Sequence, residues 1–282
     1  MSKWRPTPRN CLYIIPDIHG ALNLLNLFLD RILPLRKSDG GKDRIVFLGD
    51  YIDRHSDSHL VLDRLIEIKN KYPYQTTFLM GNHELMLLQA YNLQKGRNFS
   101  LQHKKGQFDM WIHNGGLETL AGYLQRNNIK DSPFSYPPNR IIDLFPKEHI
   151  EFLQNLDKCY EFEDYIFVHG GLNPMNSPSS QDVEEMARDR SLKNLVLTSI
   201  DQNMELPFDK IVITGHNRQA NNLPIVHEKF LMIDCGAPHQ LLSVELRSME
   251  AYIGYSYNTD RLVKFDLKET KPIKKLFNKR VT

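Results

Sequence analysis

Five short segments carry residues that can hold a divalent cation or move a proton. They are Asp17-Ile18-His19-Gly20, Gly49-Asp50-Tyr51-Ile52-Asp53-Arg54, Gly81-Asn82-His83-Glu84, His169-Gly170-Gly171 and Gly215-His216. Their donors are carboxylate oxygens, an amide oxygen and imidazole nitrogens, with no thiolate among them. Such a set suits borderline-to-hard ions such as manganese, iron or zinc, and the chemistry open to it is metal-assisted hydrolysis. Taken singly, each residue has a structural alternative. Asp17 or Asp50 could cap a helix, glycines 20, 49, 81 and 215 could serve turns, and Asn82 could be a turn residue. His169 or His216 could be a hydrogen-bonded core histidine, and Asp53 with Arg54 a surface ion pair. The joint order of the five segments argues against all of these.

The elements that must position them are legible as apolar runs. Leu12–Ile15, Arg44–Leu48, Thr76–Met80, Tyr165–Val168 and Lys210–Thr214 each lead directly into one of the segments. Nearly unbroken apolar runs suit strands buried on both faces. Helical patterns follow the first three. Leu22, Leu25, Leu29 and Ile32 share a face, as do Leu60, Leu62, Leu65, Ile66 and Ile68, and Leu85, Leu87 and Leu88 open a third helix. Alternation of this kind predicts an α/β sheet with ligands at the carboxyl ends of its strands. Residues 94–160 lack strand runs. Met110–Leu124 and Pro146–Leu156 look helical between loop-like stretches at 94–98 and 132–138, so the region is expected to be a helical insertion beside the site. Phe230–Ile233, Leu241–Leu246 and Arg261–Leu267 are expected to complete a second sheet.

The ordered segments resemble the phosphoprotein phosphatase branch of the calcineurin-like metallophosphoesterases, in particular its bacterial serine/threonine phosphatases. The resemblance spans residues 11–245. Trp111-Ile112-His113-Asn114-Gly115-Gly116-Leu117-Glu118-Thr119-Leu120 is similar to the insertion of bacterial members, and Asp182–Arg188 and Ile233–Ala237 match in character. It implies a β-sandwich flanked by helices, one domain over residues 1–282, and two divalent metals, manganese first and iron or zinc as alternatives. Asp17 and His19 would hold one metal, Asn82, His169 and His216 the other, and Asp50 would bridge them. Water activated between the metals would attack phosphorus without a covalent intermediate. His83 would protonate the leaving oxygen, Asp53 would orient it, and Arg54 and Asn82 would bind the phosphate. Arg188 is the expected second clamp, with Arg190 in reserve and a solvated helix face as its structural alternative.

The implied function is therefore hydrolysis of phosphomonoesters on a protein or peptide. Two departures accompany it: His55 stands where the family has glycine, and Asn217 where it has threonine. Nucleases on this fold carry a second histidine where Arg218 stands. Dinucleoside tetraphosphate hydrolases lose the acid-orienting aspartate, here present as Asp53. A non-catalytic scaffold has no need to pair His83 with Asp53.

The remaining composition is permissive. A formal charge of +2 offers no case for nucleic-acid or membrane binding. Cys11, Cys159 and Cys235 form no CxxC pair, and the N-terminus lacks a signal-peptide core, so a reducing, cytoplasmic setting is expected. Histidines 55, 59, 103, 113, 149, 227 and 239 are assigned to surface or packing, and the basic tail at 268–282 to solvent.

Overall fold

A computed structural model of the protein describes residues 10–38, 41–93, 105–173, 176–189, 209–218, 222–227 and 229–267. In chain order, β1 (Leu12–Ile15) and α1 (Leu22–Ile32) precede the two-residue strands β2 (Lys37–Ser38) and β3 (Gly41–Lys42). Then come β4 (Arg44–Phe47), α2 (Ser58–Lys71), β5 (Thr76–Phe78), α3 (Asn82–Ala90) and α4 (Lys105–Trp111). A π-helical turn, Ile112–Gly116, leads into α5 (Leu117–Arg126), and a 3-10 helix, Pro138–Leu144, into α6 (Lys147–Gln154). The chain continues through β6 (Cys159–Phe162), β7 (Tyr165–Val168), α7 (Val183–Arg188) and β8 (Ile211–Thr214). It closes with β9 (Ile225–Val226), β10 (Phe230–Met232), β11 (Gln240–Glu245), β12 (Glu250–Tyr255) and β13 (Asn258–Asp266).

Two mixed sheets result, ordered β13-β12-β11-β1-β4-β5 and β6-β7-β8-β10-β9. The centres are parallel: β1 with β4, β4 with β5, β7 with β8 and β8 with β10. Alternation along each strand divides the core. Ile14, Val46 and Leu48 meet Phe167, Ile213 and Leu231 between the sheets. Ile15, Ile45 and Phe47 turn outward onto Leu25, Leu65 and Leu88 of the helices. Ile166, Val212 and Met232 line the outer face of the second sheet with Met186 of α7. The strands are thus buried on both faces, as their apolar runs predict, and the architecture is a helix-flanked α/β sandwich.

Three expectations need correction. Of the three late strands expected there, only β10 joins the second sheet, beside β9. β11 and β13, with the unanticipated β12 between them, extend the first sheet through antiparallel pairing of β11 with β1. Cys159 and Tyr160, placed in the insertion, open β6. Leu60 points away from the core, 38% exposed, because Val61 takes the inward position with Leu65 and Ile68. The stretch at 94–98, Arg190 and the tail at 268–282 lie outside the described residues.

Candidate active site

All six parallel strands end at one place. β1 delivers Asp17 and His19, β4 delivers Asp50, and β5 leads to Asn82 and His83 at the start of α3. β7 and β8 deliver His169 and His216, and β10 leads to Asp234. Asp50 lies at the centre, 1% exposed. Its Oδ1 lies 3.2 Å from His169 Nε2, and its Oδ2 lies 3.5 Å from His19 Nε2 and 3.8 Å from His83 Nε2. Asn82 Oδ1 lies 3.1 Å from His169 Nε2. Asp17 Oδ2 lies 4.0 Å from His19 Nε2, while its Oδ1 accepts the His216 backbone N–H at 2.9 Å.

Among the described residues, two groups could hold a metal ion, His19 with Asp50 and His83, and Asp50 with His169 and His216; within each group the donor atoms lie within 4.8 Å of one another. The chemistry of the donors fits a cation. His19 and His169 are each tied through Nδ1 to a backbone carbonyl, of Ile52 and Leu48, at 2.9 Å. A ring so held turns Nε2 inward as a lone-pair donor, the usual arrangement behind a ligating imidazole. His19 Nε2 is buried and has no hydrogen-bond partner. That is costly for a polar atom unless the site receives something that needs a lone pair.

Electrostatics point the same way. Burial alone would raise the Asp50 pKa, but the His169 and His83 imidazoles outweigh it and hold the carboxyl well below the usual range. Burial pushes Asp17 well up, with Asp234 adding to it. His169 overcomes burial and is pushed up to about 10, chiefly by Asp50. Burial and then His83 drive His19 well down, so it offers a neutral ring. A carboxylate set that draws a proton onto a buried imidazole has the charge to draw a cation.

The backbone is strained where the ligands sit. His19, Asp50, Asp53, Arg54 and His216 all have positive φ, between 47° and 73°. Such conformations persist only when the surroundings over-determine them, and they cluster at functional sites. Glu84 supplies part of that determination. Fully buried, it accepts the N–H of Asp50 at 2.9 Å, Tyr51 at 2.7 Å, Ile52 at 3.2 Å and Gly81 at 3.1 Å. Its pKa is raised to about 7 by burial and by Asp50. Gly81 packs so closely that a Cβ there would overlap the Asp50 carboxylate.

Beside this centre, His83 Nδ1 donates to Asp53 Oδ2 at 2.8 Å, and Asp53 is fully buried. Burial raises the Asp53 pKa, opposed by hydrogen bonds from His83, Thr119 and Trp111. The His83 pKa is raised: burial lowers it, but Asp50 and Asp53 prevail. Arg54 is exposed, and its Nη2 lies 3.1 Å from His83 Nε2. Arg188 is on α7, whose end abuts the His169 loop through Gly170 N–H to Met186 O, 2.9 Å. Its guanidinium donates to Gln89 Oε1 at 2.9 Å.

The expected ligands thus lie at one end of the sandwich with His83, Asp53 and Arg54, although Asp17 falls outside both groups and His83 falls inside the first. Glu84, Trp111, Thr119 and Asp234 stand within the motif segments, but their local pattern assigns none of them a role. Glu84 at the third turn position after Gly81 was the one local signal, as the reciprocal carboxylate of a capping box.

A sandwich that brings carboxylates and imidazoles together at its parallel strand ends is the scaffold of a phosphoesterase. Residues 12–272 match the sequence model of the calcineurin-like phosphoesterases, and the chain belongs to that family. Among curated proteins it is similar to the serine/threonine-protein phosphatase SIT4 of Candida albicans, 42% identical over 69 residues. That match covers 24% of this chain and 21% of the relative. It is also similar to the serine/threonine-protein phosphatase 4 catalytic subunit of Eremothecium gossypii, 42% identical over 73 residues, 25% of this chain and 21% of the relative. The chain thus covers about a fifth of the length of these relatives, which are fungal. Among solved structures it is similar to a cold-active protein-tyrosine phosphatase of a psychrophilic Shewanella species, with 18% identity, TM-score 0.49, and 91% and 80% of the two chains covered. No helix among the described residues is long and apolar enough to cross a membrane.

Proposed function

We propose that this chain is a metal-dependent phosphomonoester hydrolase that acts as a phosphoprotein phosphatase on phosphoserine or phosphothreonine. One observation carries the reading: buried Asp53 holds His83 Nδ1 at 2.8 Å, which turns His83 Nε2 toward Asp50 and Arg54. Asp17, His19 and Asp50 would hold one cation, and Asp50, Asn82, His169 and His216 the other, with manganese first and iron or zinc as alternatives. When bound, such a pair supplies activated water and offsets charge on the phosphoryl oxygens. His83 falls geometrically within the first group. Its contact with Arg54 through Nε2, together with its bond to Asp53, supports the reading of His83 as the proton donor.

Arg54, open at the mouth, presents a planar guanidinium that can grip two phosphoryl oxygens. Its donation to Nε2 requires a neutral ring. A phosphoryl group would draw the guanidinium away and leave Nε2 to carry the proton that the departing oxygen needs. Arg188, one of whose N–H groups donates to Gln89, would serve as a second clamp. A monoester releases an alkoxide, a poor leaving group, so an oriented acid is worth more there than at an anhydride. The test compares kcat/KM on phosphoserine peptides and on diadenosine tetraphosphate under the same manganese. The expected result favours the peptide by more than about tenfold, roughly 1.4 kcal/mol in the barrier. A preference of that size for the dinucleotide overturns the protein-phosphatase reading.

A further inference from the structure

We propose that Trp111 and Thr119 are positioning residues for proton donation by His83, so that the helical segment after α3 completes the acid. The inference rests on the reading of His83 given above. Asp53 divides its two oxygens between two tasks. Oδ2 accepts from His83 Nδ1 at 2.8 Å, and Oδ1 accepts from Trp111 Nε1 at 3.0 Å and Thr119 Oγ1 at 2.8 Å. The Asp53 backbone N–H in turn donates to Thr119 Oγ1 at 2.8 Å and Ser58 Oγ at 3.0 Å. All these groups are buried, and Trp111 and Thr119 are fully so. Trp111 packs edge-on against Tyr91 and Phe108, ring centroids 6.3 and 6.0 Å away, so its indole N–H is fixed in direction.

The same segment grips the next residue. Arg54 N–H donates to Gly115 O at 3.0 Å. Gly115 has φ +106°, and a Cβ there would lie 2.8 Å from Arg54 Cγ. One turn, Trp111 to Thr119, therefore sets both the carboxylate behind the acid and the guanidinium in front of it.

A carboxylate rotates about a broad, two-fold torsion when nothing holds its second oxygen. With both donors on Oδ1, only Oδ2 is left for His83, and the ring is aimed in one direction. Aim matters because a misplacement of about 1 Å at a reacting group can cost about 10²-fold. The residues act through Asp53 and His83 and touch no reacting atom themselves.

The experiment uses the full chain with manganese and five variants: Trp111→Phe with Thr119→Val as a double, Thr119→Val, Thr119→Ser, His83→Asn as reference, and the double combined with His83→Asn. Each is measured on a phosphoserine peptide, which has a poor leaving group, and on 4-nitrophenyl phosphate, which has a good one. Manganese stoichiometry by calorimetry and Tm accompany the kinetics. The double variant is expected to keep its manganese and to lose about tenfold or more on the peptide, but less than about threefold on the aryl ester. Thr119→Ser should restore the peptide rate, and the double change added to His83→Asn should cost nothing further. Equal losses on both substrates, or losses that add to those of His83→Asn, overturn the proposal. Should the double variant fail to fold, Thr119→Val alone is read against the same substrate ratio. If His83→Asn itself shows no dependence on the leaving group, the acid reading falls and this proposal with it. If His83→Asn shows that dependence and the Trp111 and Thr119 variants do not, only the present proposal falls.

Discussion

Asp50 is the residue on which both metal groups depend, since each contains it. Asp50→Asn removes a charge that His169, His83 and His19 all face. Calorimetry is expected to show both manganese sites weakened, with nearly all turnover lost; two intact sites with full activity would refute the shared-carboxylate arrangement. Glu84 makes a subtler case. Its carboxylate accepts four backbone N–H groups, and an amide side chain has only one oxygen to offer. Glu84→Gln should therefore strand buried donors at a cost of about 1–3 kcal/mol. Chemical denaturation reads that loss, and manganese affinity should fall with it because the Asp50 turn loosens. A variant as stable as the parent would mean that water or rearranged backbone satisfies the nest.

At the scale of elements, α5 and α6 are joined to α2 by a second, part-buried chain. Tyr123 donates to His149 Nδ1 at 2.6 Å, and His149 Nε2 donates to Asp63 Oδ1 at 2.9 Å. Arg126 also pairs with Asp63. Both nitrogens of His149 are used by the neutral ring, and His59 lies against Tyr123, with ring centroids 5.7 Å apart. Burial lowers the His149 pKa, and although Asp63 and Glu148 oppose it, the net direction is down. The folded protein therefore binds this proton less readily than the unfolded chain. The stability it contributes is full above the unfolded value of about 6.5 and is lost as pH falls below it toward the folded value. The Tm gap between the parent and His149→Gln should shrink between about pH 7 and pH 5. A gap that stays constant would show that His149 titrates alike in both states.

For the whole molecule, the site exists only where the two sheets meet. Asp17, His19 and Asp50 follow strands of one sheet, and His169 and His216 follow strands of the other. Phe167, fully buried, lies in the layer that joins them with Leu48 and Ile213. Phe167→Ala should cost about 3–5 kcal/mol from lost transfer energy and the cavity left behind. It should also weaken manganese binding, though no ligand changes, because Asp50 and His169 would no longer be held at a set separation. A destabilised variant with unaltered manganese affinity would mean that the ligand loops hold their own geometry.

The local grammar of the chain determined much of this. Apolar runs such as Leu12–Ile15 and Tyr165–Val168 specify strands buried on both faces. The polar segments that follow them must lie at the carboxyl ends, because a strand hands its chain directly to the next turn. Those are near-neighbour constraints, which side-chain pattern encodes. Which strand pairs with which is decided by backbone hydrogen bonds that carry no residue identity, so only the fold placed β11 beside β1, with β12 and β13 beyond it. The donors to Asp53 were hidden for the same reason. Trp111 and Thr119 stand 58 and 66 positions from Asp53. Nothing in their local pattern states that one turn of a helical segment closes over that carboxylate. Tertiary packing brings them there, where burial makes each hydrogen bond to Asp53 costly to lose.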